Sequence, residues 1–419
     1  MANPALTELP PFTLLDEPDL SFSPSDATQV DVHPLRGLLN FGPYSKGSFS
    51  GYTPRIRIAT VGPESAFHRR GDLMKLLRGV HRPSDRSEYV PEYPGFERLF
   101  RVSLDPAPAS AHIKWPEHLD QLPGDGNAQH RLYLAMDAAL RRLDAVRNEF
   151  DVVLVHFPDN WDTATRGKFF DAHDVLKALG AKYNIPTQVL NDRVFNFSFK
   201  ASLAWRLSTA LYVKAAGTPW KLAPLKGVPA DTAYIGLAYA LRGDQQDAHY
   251  VMCCSQVFDM DGGGMQFVAF DALTGVAEIE CVEVSSASCW RGVWLIKSGV
   301  EKPPSKPSGF PVPRGTMVIR TGNSTLIWVA GNAPEVSTKG DYYQGKKSIP
   351  RPLQLIRHAG SGPLELTAHE ALALTKMDWN NDALYDPVPV SIRYSQKLAR
   401  TIANVPDLPR NVYPYRLFM

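Results

Sequence analysis

Apolar residues recur every second position in some stretches of this chain and every third or fourth in others, and the two periods mark out its elements. The run RIRIATVG from Arg55 predicts a first strand. Ser65 to Val80 predicts a helix with Arg69, Arg70, Lys75 and Arg78 on its polar side, a face that is ordinarily just solvated. Arg82 to Gly126 has many prolines and few periodic apolar positions, which predicts a long irregular excursion with one strand at Leu99 to Val102. Gln129 to Asn148 predicts an amphipathic helix, and Phe150 to His156 a strand buried on both faces. A helix carrying His173 and Lys177 follows, then a short strand from Ile185 to Leu190 interrupted by the polar Gln188. A second helix, from about Phe197 to Ala216, should close at Gly217 with Pro219 behind it. Such alternation predicts an α/β fold with a parallel sheet covered on both faces. Ligands of such sheets bind at the carboxyl ends of strands, which is where Gln188 is expected.

After Pro224 the pattern changes. Tyr234 to Tyr239, Tyr250 to Phe258 and, beyond the Gly262-Gly263-Gly264 turn, Met265 to Phe270 predict three strands meandering antiparallel. Asp271 to Phe310 holds no convincing helix and contains a Pro/Lys-rich loop, Glu301 to Ser308. A last helix is expected between Pro389 and Thr401. At the other end, residues 1 to 30 are acidic and proline-rich, an extended arm that orders only against something else. His33 to Tyr44 then reads as a turn-rich hinge with one strongly basic side chain, Arg36. The units expected are the arm at 1–30, a first domain with its linker at 31–229 and a second domain at 230–419.

Composition narrows the classes. The 419 residues are 44% hydrophobic and 21% charged, enough for a sizeable core in two domains. A net charge of +2 excludes a generic polyanion binder, so a nucleic-acid groove would need local clustering of Lys and Arg, or a partner's charge. The four cysteines, Cys253, Cys254, Cys281 and Cys289, form no repeated CxxC and suggest neither zinc nor a disulfide framework; a reducing cytoplasm fits. The start MANPALTELPPFTLLDEPDL lacks a basic segment and an apolar core, and no run of eighteen apolar residues occurs, so neither ordinary export nor a membrane span is expected.

The candidate chemistry lies between His173 and Trp220. His173 and Lys177 are four apart on one helical face. Such a pair is ordinarily solvated, and a lysine in the last turn of a helix, as Lys214 is, ordinarily answers the helix dipole. Together with Gln188 they would offer an imidazole, two ammonium groups and an amide to one terminal phosphate. The series HDVLKA, IPTQ and ALYVKAAGTPWKL closely resembles the 5′-phosphate pocket of the MID domain of Argonaute proteins, in the histidine-lysine variant. His33 to Tyr44 resembles the "PRxGLxxFGPY" opening of the short prokaryotic members. Pro311 to Thr316 resembles "YPVLRGT", Ile349 to Leu353 "VPRPL", and Ala371 to Asn381 "ILALTKMNWNN".

The resemblance implies a Rossmann-like MID domain followed by an RNase H-like PIWI domain lacking part of its usual core: relatives carry a helix and another strand before "YPVLRGT", and that part is here missing, rebuilt or replaced by the loop Glu301 to Ser308. It implies guide 5′-phosphate binding by His173, Lys177, Gln188 and Lys214, with a Mg²⁺ beside the phosphate held by Gln188 and the terminal carboxylate of Met419. Chain ends ordinarily fray, but the apolar Leu417-Phe418-Met419 is consistent with a buried tail. In active relatives the first strand supplies an aspartate where this chain has Ala238, and a fourth ligand where it has Gln396. A two-metal nuclease needs several carboxylates, so no catalytic residue is expected here. The implied function is that of a guide-binding subunit, taking a 5′-phosphorylated guide, RNA in preference to DNA. It would find complementary single-stranded DNA and activate a partner in defence against plasmids or phage. That partner would be an APAZ-domain effector (sirtuin-like, TIR or nuclease) in a heterodimer. The alternative is an active guide-directed nuclease using displaced carboxylates at Asp259, Asp261 or Asp271. A small-molecule nucleotide binder is disfavoured by the lack of a GxGxxG or Walker motif after any strand.

Overall fold

The computed structural model describes residues 12–46, 54–121, 127–167, 170–242, 249–259, 267–271, 294–298, 313–331, 333–336, 352–358, 360–380, 384–405 and 412–419. An arm carries β1 (Phe12–Leu14), β2 (Leu20–Ser21) and β3 (Val30–Asp31) and leads into α1 (Pro34–Phe41). Next come β4 (Arg55–Gly62), α2 (Glu64–Arg78), α3 (Phe96–Phe100), β5 (Ser103–Pro106), β6 (His112–Lys114) and α4 (Ala128–Asp144). They are followed by β7 (Val152–His156), α5 (Asp162–Thr165), the pair β8 (Arg166–Gly167) and β9 (Phe170–Asp171), and α6 (Ala172–Lys182). The first half closes with β10 (Thr187–Leu190), α7 (Asp192–Phe195), α8 (Lys200–Lys214) and β11 (Lys221–Leu222).

The strands β10-β7-β4-β5 form a parallel sheet, with β6 pairing further along β4. Period-two alternation distributes its side chains. Val152 and Leu154 enter one core with Leu73 and Leu77 of α2 and Leu207 and Leu211 of α8, while Val153 and Val155 enter another with Leu132 of α4 and Val175 of α6. Both faces are therefore dry, as the unbroken apolar run of β7 predicts.

The excursion after Arg82 is less irregular than its composition suggests. Leu99 to Val102 is not a strand: Phe96, Leu99 and Phe100 are all buried at i, i+3 and i+4 on α3, and Arg101 ends that helix with a left-handed φ of 59°. Just beyond, Leu104 pairs with Ile56 and Ile113 with Val61, so the excursion supplies two parallel strands. The end of α8 also differs. Ala216, φ 71°, is its left-handed residue, whereas Gly217 is small because a Cβ there would lie 2.3 Å from the Tyr212 ring.

In the second half β12 (Ala233–Arg242), β13 (His249–Asp259) and β14 (Phe267–Asp271) form the expected antiparallel meander. Then come β15 (Trp294–Ser298), β16 (Thr316–Thr321), β17 (Ser324–Ile327), β18 (Leu353–Arg357), α9 (Leu364–Leu374), α10 (Val390–Asn404) and β19 (Val412–Tyr413). The meander ends on β19, and a second antiparallel sheet runs β1-β16-β17-β18-β15. The strand β15 lies in the stretch between Asp271 and Phe310, where it pairs Ile296 with Leu355. Residues 301–308 and 349–351 lie outside the described residues, as does any helix between 272 and 293.

The arm does order against something, and that something is the second half of its own chain. Thr13 pairs with Met317, and Leu15 N–H donates to Gly315 O at 3.0 Å. Gly315 holds φ at 85°, and a Cβ there would sit 2.6 Å from Leu15 O, so this close approach requires glycine. Glu17 then enters the interior between Arg314 Nε at 2.9 Å and Lys376 Nζ at 2.8 Å, both cations fully buried. Arg314 also lies 3.7 Å from the Tyr385 ring centroid. Two stretches picked out by resemblance meet here as well: Trp220 Nε1 donates to Lys376 O at 3.1 Å. In the hinge, His33 caps α1 through Nδ1 and meets Tyr89 O through Nε2 at 2.7 Å, and burial pushes its pKa down to about 4. The basic Arg36 is held by Asp31 at 2.6 Å. Among the described residues no helix is long and apolar enough to cross a membrane.

Candidate functional site

The site begins with the local chemistry of α6. Asp171 caps the helix, accepting from His173 N–H at 2.9 Å and Asp174 N–H at 3.3 Å. Asp174 accepts from Arg400 at 3.0 and 3.2 Å and from Asn404 at 2.8 Å, which fastens α6 to α10. Burial alone would raise the Asp174 pKa, but His173, Arg400 and Asn404 together hold it below the usual carboxylate range. One turn on, Lys177 is only 3% exposed, and its Nζ donates to Thr187 O at 2.8 Å and to Met419 O. Lys214, fully buried at the end of α8, donates to the same Met419 oxygen at 2.5 Å. The tail is buried rather than frayed, with Leu417, Phe418 and Met419 at 1, 3 and 2% exposure.

Two lysine Nζ groups thus share one oxygen inside the protein, and the charge of a third lysine, Lys397, acts on both. Burial lowers the Lys177 pKa from 10.5 to about 8, with the Lys397 charge adding to the effect. Lys214 is pushed well below 10.5 by burial first, then by Lys177 and Lys397. Lys397, on α10, is tethered to Asp378 at 3.5 Å and lies 4.3 Å from the Tyr394 ring centroid. An arrangement that crowds cations around a single acceptor is one that a second, more highly charged acceptor of the phosphate class could satisfy.

Of the four residues expected to hold that anion, the structure brings Lys177 and Lys214 together at Met419. His173 lies one turn from Lys177 with a side chain 50% exposed; burial and the Lys177 charge lower its pKa, and Asp174, 3.7 Å away, opposes them. Gln188 is half-buried, and its amide N–H donates to Val189 O at 3.1 Å. The expected location needs correcting too. Lys177 bonds the first residue of β10, and Lys214 ends the following helix, so the site borders the amino end of that strand, not its carboxyl end.

Sequence reading missed Lys397, which directly follows Gln396 on α10. Gln396 itself is exposed, while Ala238 is buried in one core with Tyr394 and Leu398 of the same helix. Asp259 stands opposite Ala233, Asp271 stands opposite Val251, and Asp261 lies outside the described residues.

The lysine pair carries a pH signature with a definite sign. Between pH 8 and 10.5 the unfolded chain keeps a proton that folded Lys177 has released, so stability should rise with pH across that window. Anion binding needs the charged form and should weaken as pH rises through 8, with net proton uptake on binding near pH 8.5. Calorimetry of phosphate-terminated ligands in buffers of different ionisation enthalpy measures that uptake. Identical apparent enthalpies in all buffers would contradict the assignment.

No protein-family model matches the chain, and no curated protein matches it. Solved structures do. Clostridium butyricum Argonaute bound to a guide DNA and a 19-mer target DNA superposes with a TM-score of 0.63 at 15% identity, covering 98% of this chain and 55% of that one. Drosophila Piwi gives 0.62 at 14%, covering 97% and 56%. Aquifex aeolicus Argonaute gives 0.56 at 12%, covering 97% and 55%. The fold is the Argonaute MID-PIWI fold. The chain spans a little over half the length of each of these Argonaute and Piwi chains. At such identities the likeness carries the fold, and function has to be argued from the site.

Proposed function

We propose that this chain is the guide-binding subunit of a short, nuclease-inactive Argonaute system. It anchors the 5′-phosphate of a guide, RNA in preference to DNA, on Lys177 and Lys214 with Lys397 behind them, and presents the guide to complementary single-stranded DNA. The observation that carries this reading is the pair of buried ammonium groups converging on one Met419 oxygen. An ammonium pair at the amino edge of the sheet holds a terminal phosphate without reading any base, so sequence is left to pairing. His173 at the mouth of the site can add a donor when the phosphate raises its pKa. A Mg²⁺ beside the phosphate would be held by Gln188, through its amide oxygen since its amide N–H donates to Val189 O, and by the terminal carboxylate of Met419. Sequencing the nucleic acid that co-purifies with the chain, with its terminal chemistry, tests the proposal. A population without 5′-phosphates would contradict it.

The absence of a carboxylate at Ala238 supports an inactive nuclease, and so does the spacing of two of the displaced carboxylates. The register puts Asp271 opposite Val251 and Asp259 eight residues further along the same strand, roughly 26 Å away at ordinary strand rise, too far to share a metal pair. Loaded with a matched guide, the chain should leave target strands intact in Mg²⁺ or Mn²⁺. Cleavage at a fixed distance from the guide end, lost in Asp259→Asn, would establish the nuclease reading. The output is then made by a partner, an APAZ-domain effector. The net charge of +2 supports this, since a duplex carries dense negative charge that one near-neutral chain holds poorly.

A further inference from the structure

The carboxyl end of the parallel sheet, opposite the lysine pair, carries an exposed surface of a different kind. From β4 the chain first builds β5 and β6 on one side and then returns to β7 and β10 on the other, so the strand order reverses between β4 and β7. Ligands of open α/β sheets sit outside the carboxyl ends at such a reversal. Here the connections that leave β4, β7 and β10 are tied together at Asp192 of α7, which accepts from Arg69 of α2 at 2.7 Å and from Asp159 N–H at 2.9 Å. Arg69 also lies 5.4 Å from the centroid of the Phe195 ring.

From there the chain runs into α8 as Asn196-Phe197-Ser198-Phe199-Lys200, and all five residues are exposed. Phe197 and Phe199 are 40 and 41% exposed, with ring centroids 5.6 Å apart and planes at 80°. Arg193, its side chain 75% exposed, precedes them and Lys200 follows. The two carboxylates nearest in this cluster are engaged, Asp192 with Arg69 and Asp159 with Arg193 at 3.7 Å. The second pair joins exposed groups at long range and opens at little cost. Lys200 begins α8, whose first turn holds no acidic residue. A lysine there opposes the helix dipole, so it adds to a positive potential rather than to the stability of its helix.

This chemistry selects the occupant. A stable protein partner needs a contiguous apolar core, and these two rings are interleaved with Asn196, Ser198 and cations. Single-stranded nucleic acid needs the reverse: ring faces on which bases of any identity stack, and cations between them for the phosphates. The distance to the lysine pair suits one continuous strand. The helix α8 sets Lys200 and Lys214 roughly 21 Å apart along its axis, about the length of six stacked nucleotides.

We propose that Phe197 and Phe199 form a stacking platform for unpaired bases of the guide, several nucleotides from its 5′ end, with Arg193 and Lys200 taking the phosphates beside them. The inference rests on the reading of this chain as guide-binding, and gives the body of the strand a contact separate from that of its end.

Titration with 5′-phosphorylated oligoadenylates of two lengths tests it: a dinucleotide, which reaches only the lysine pair, and a strand of about ten nucleotides, which reaches both sites. Phe197→Ala and Phe199→Ala should each weaken the longer strand by at least about fivefold, the lower bound for one base stack, and leave the dinucleotide unchanged. Leucine at both positions keeps apolar bulk without a ring and should lose as much as alanine, whereas tryptophan should restore binding. Lys200→Gln should reduce the slope of log affinity against log salt by about 0.7, the single-strand value for one phosphate. Because both rings are exposed, all of these variants should keep the parent's melting temperature. Unchanged binding of the longer strand by the double alanine variant, full binding by the leucine variant, or equal loss on both lengths would each overturn the proposal. So would loss of a protein partner with strand binding intact, which would make this a docking surface. Failure of the phosphate assignment reads differently: Lys177→Ala would then leave both lengths unaffected, while the length-dependent loss at Phe197 and Phe199 would persist.

Discussion

Lys177→Ala and Lys214→Ala are each expected to weaken binding of a 5′-phosphorylated guide by roughly tenfold to a hundredfold, since a hydrogen bond to a charged group contributes roughly 1.5 to 3 kcal/mol. On 5′-hydroxyl guides the same changes should do little. The prediction is sharpened by what burial does to these lysines. Both are held without water and partly discharged, so the free protein carries the cost of an anion site waiting for its anion. Lys214→Met keeps the length and removes the charge, and should leave the melting temperature unchanged or higher while binding falls. Parallel titrations and melting curves of the variants measure both. Loss of binding that merely tracks loss of folded protein would reduce the lysines to structural residues.

Glu17→Ala should be the most destabilising single change in the arm, at about 3 to 5 kcal/mol, because it leaves two buried cations without their counter-charge. Arg314 retains the oxygens of Val329 and Leu372 and the hydroxyl of Thr375, and Lys376 retains Pro18 O at 2.5 Å, but none of these is anionic. Urea denaturation of the variant against the parent measures the loss. A change within about 0.5 kcal/mol, the range of ordinary surface substitutions, would mean that the triad is not intact in solution. Replacing all three residues by apolar ones of similar size should be far milder than replacing Glu17 alone, since it removes the uncompensated charges together.

What could be read in advance follows from the range of the signal. The apolar run Val152 to Val155 of β7 announces a parallel strand buried on both faces, and the one-turn spacing of His173 and Lys177 is a local property of a helix. Lys214 was legible because a helix stop immediately follows it. By contrast, the fate of Glu17 depends on Arg314, 297 residues away, and nothing near an acidic residue in a proline-rich arm distinguishes it from a solvated one. Lys397 was hidden in the same way. A lysine on the polar side of an amphipathic helix ordinarily reaches water, and only the packing of α10 on α6, through Asp174, brings its charge within reach of the lysine pair. At Leu99 to Val102 the origin is different: four residues, three of them apolar around Arg101, do not distinguish strand from helix, and what decides is Phe96, one turn earlier. Gln188 keeps its expected place in the strand, while the bond from its amide N–H to Val189 O is a detail of side-chain rotation that no sequence pattern carries.

The central claim is that the buried lysine pair is a receptor for a terminal phosphate. Equilibrium titration of the purified chain with one guide sequence in three forms, bearing a 5′-phosphate, a 5′-hydroxyl or a 3′-phosphate only, tests it most directly. The account predicts that the 5′-phosphorylated form binds at least about a hundredfold more tightly than the other two, the worth of two charge-assisted bonds. Equal affinity for all three would contradict it.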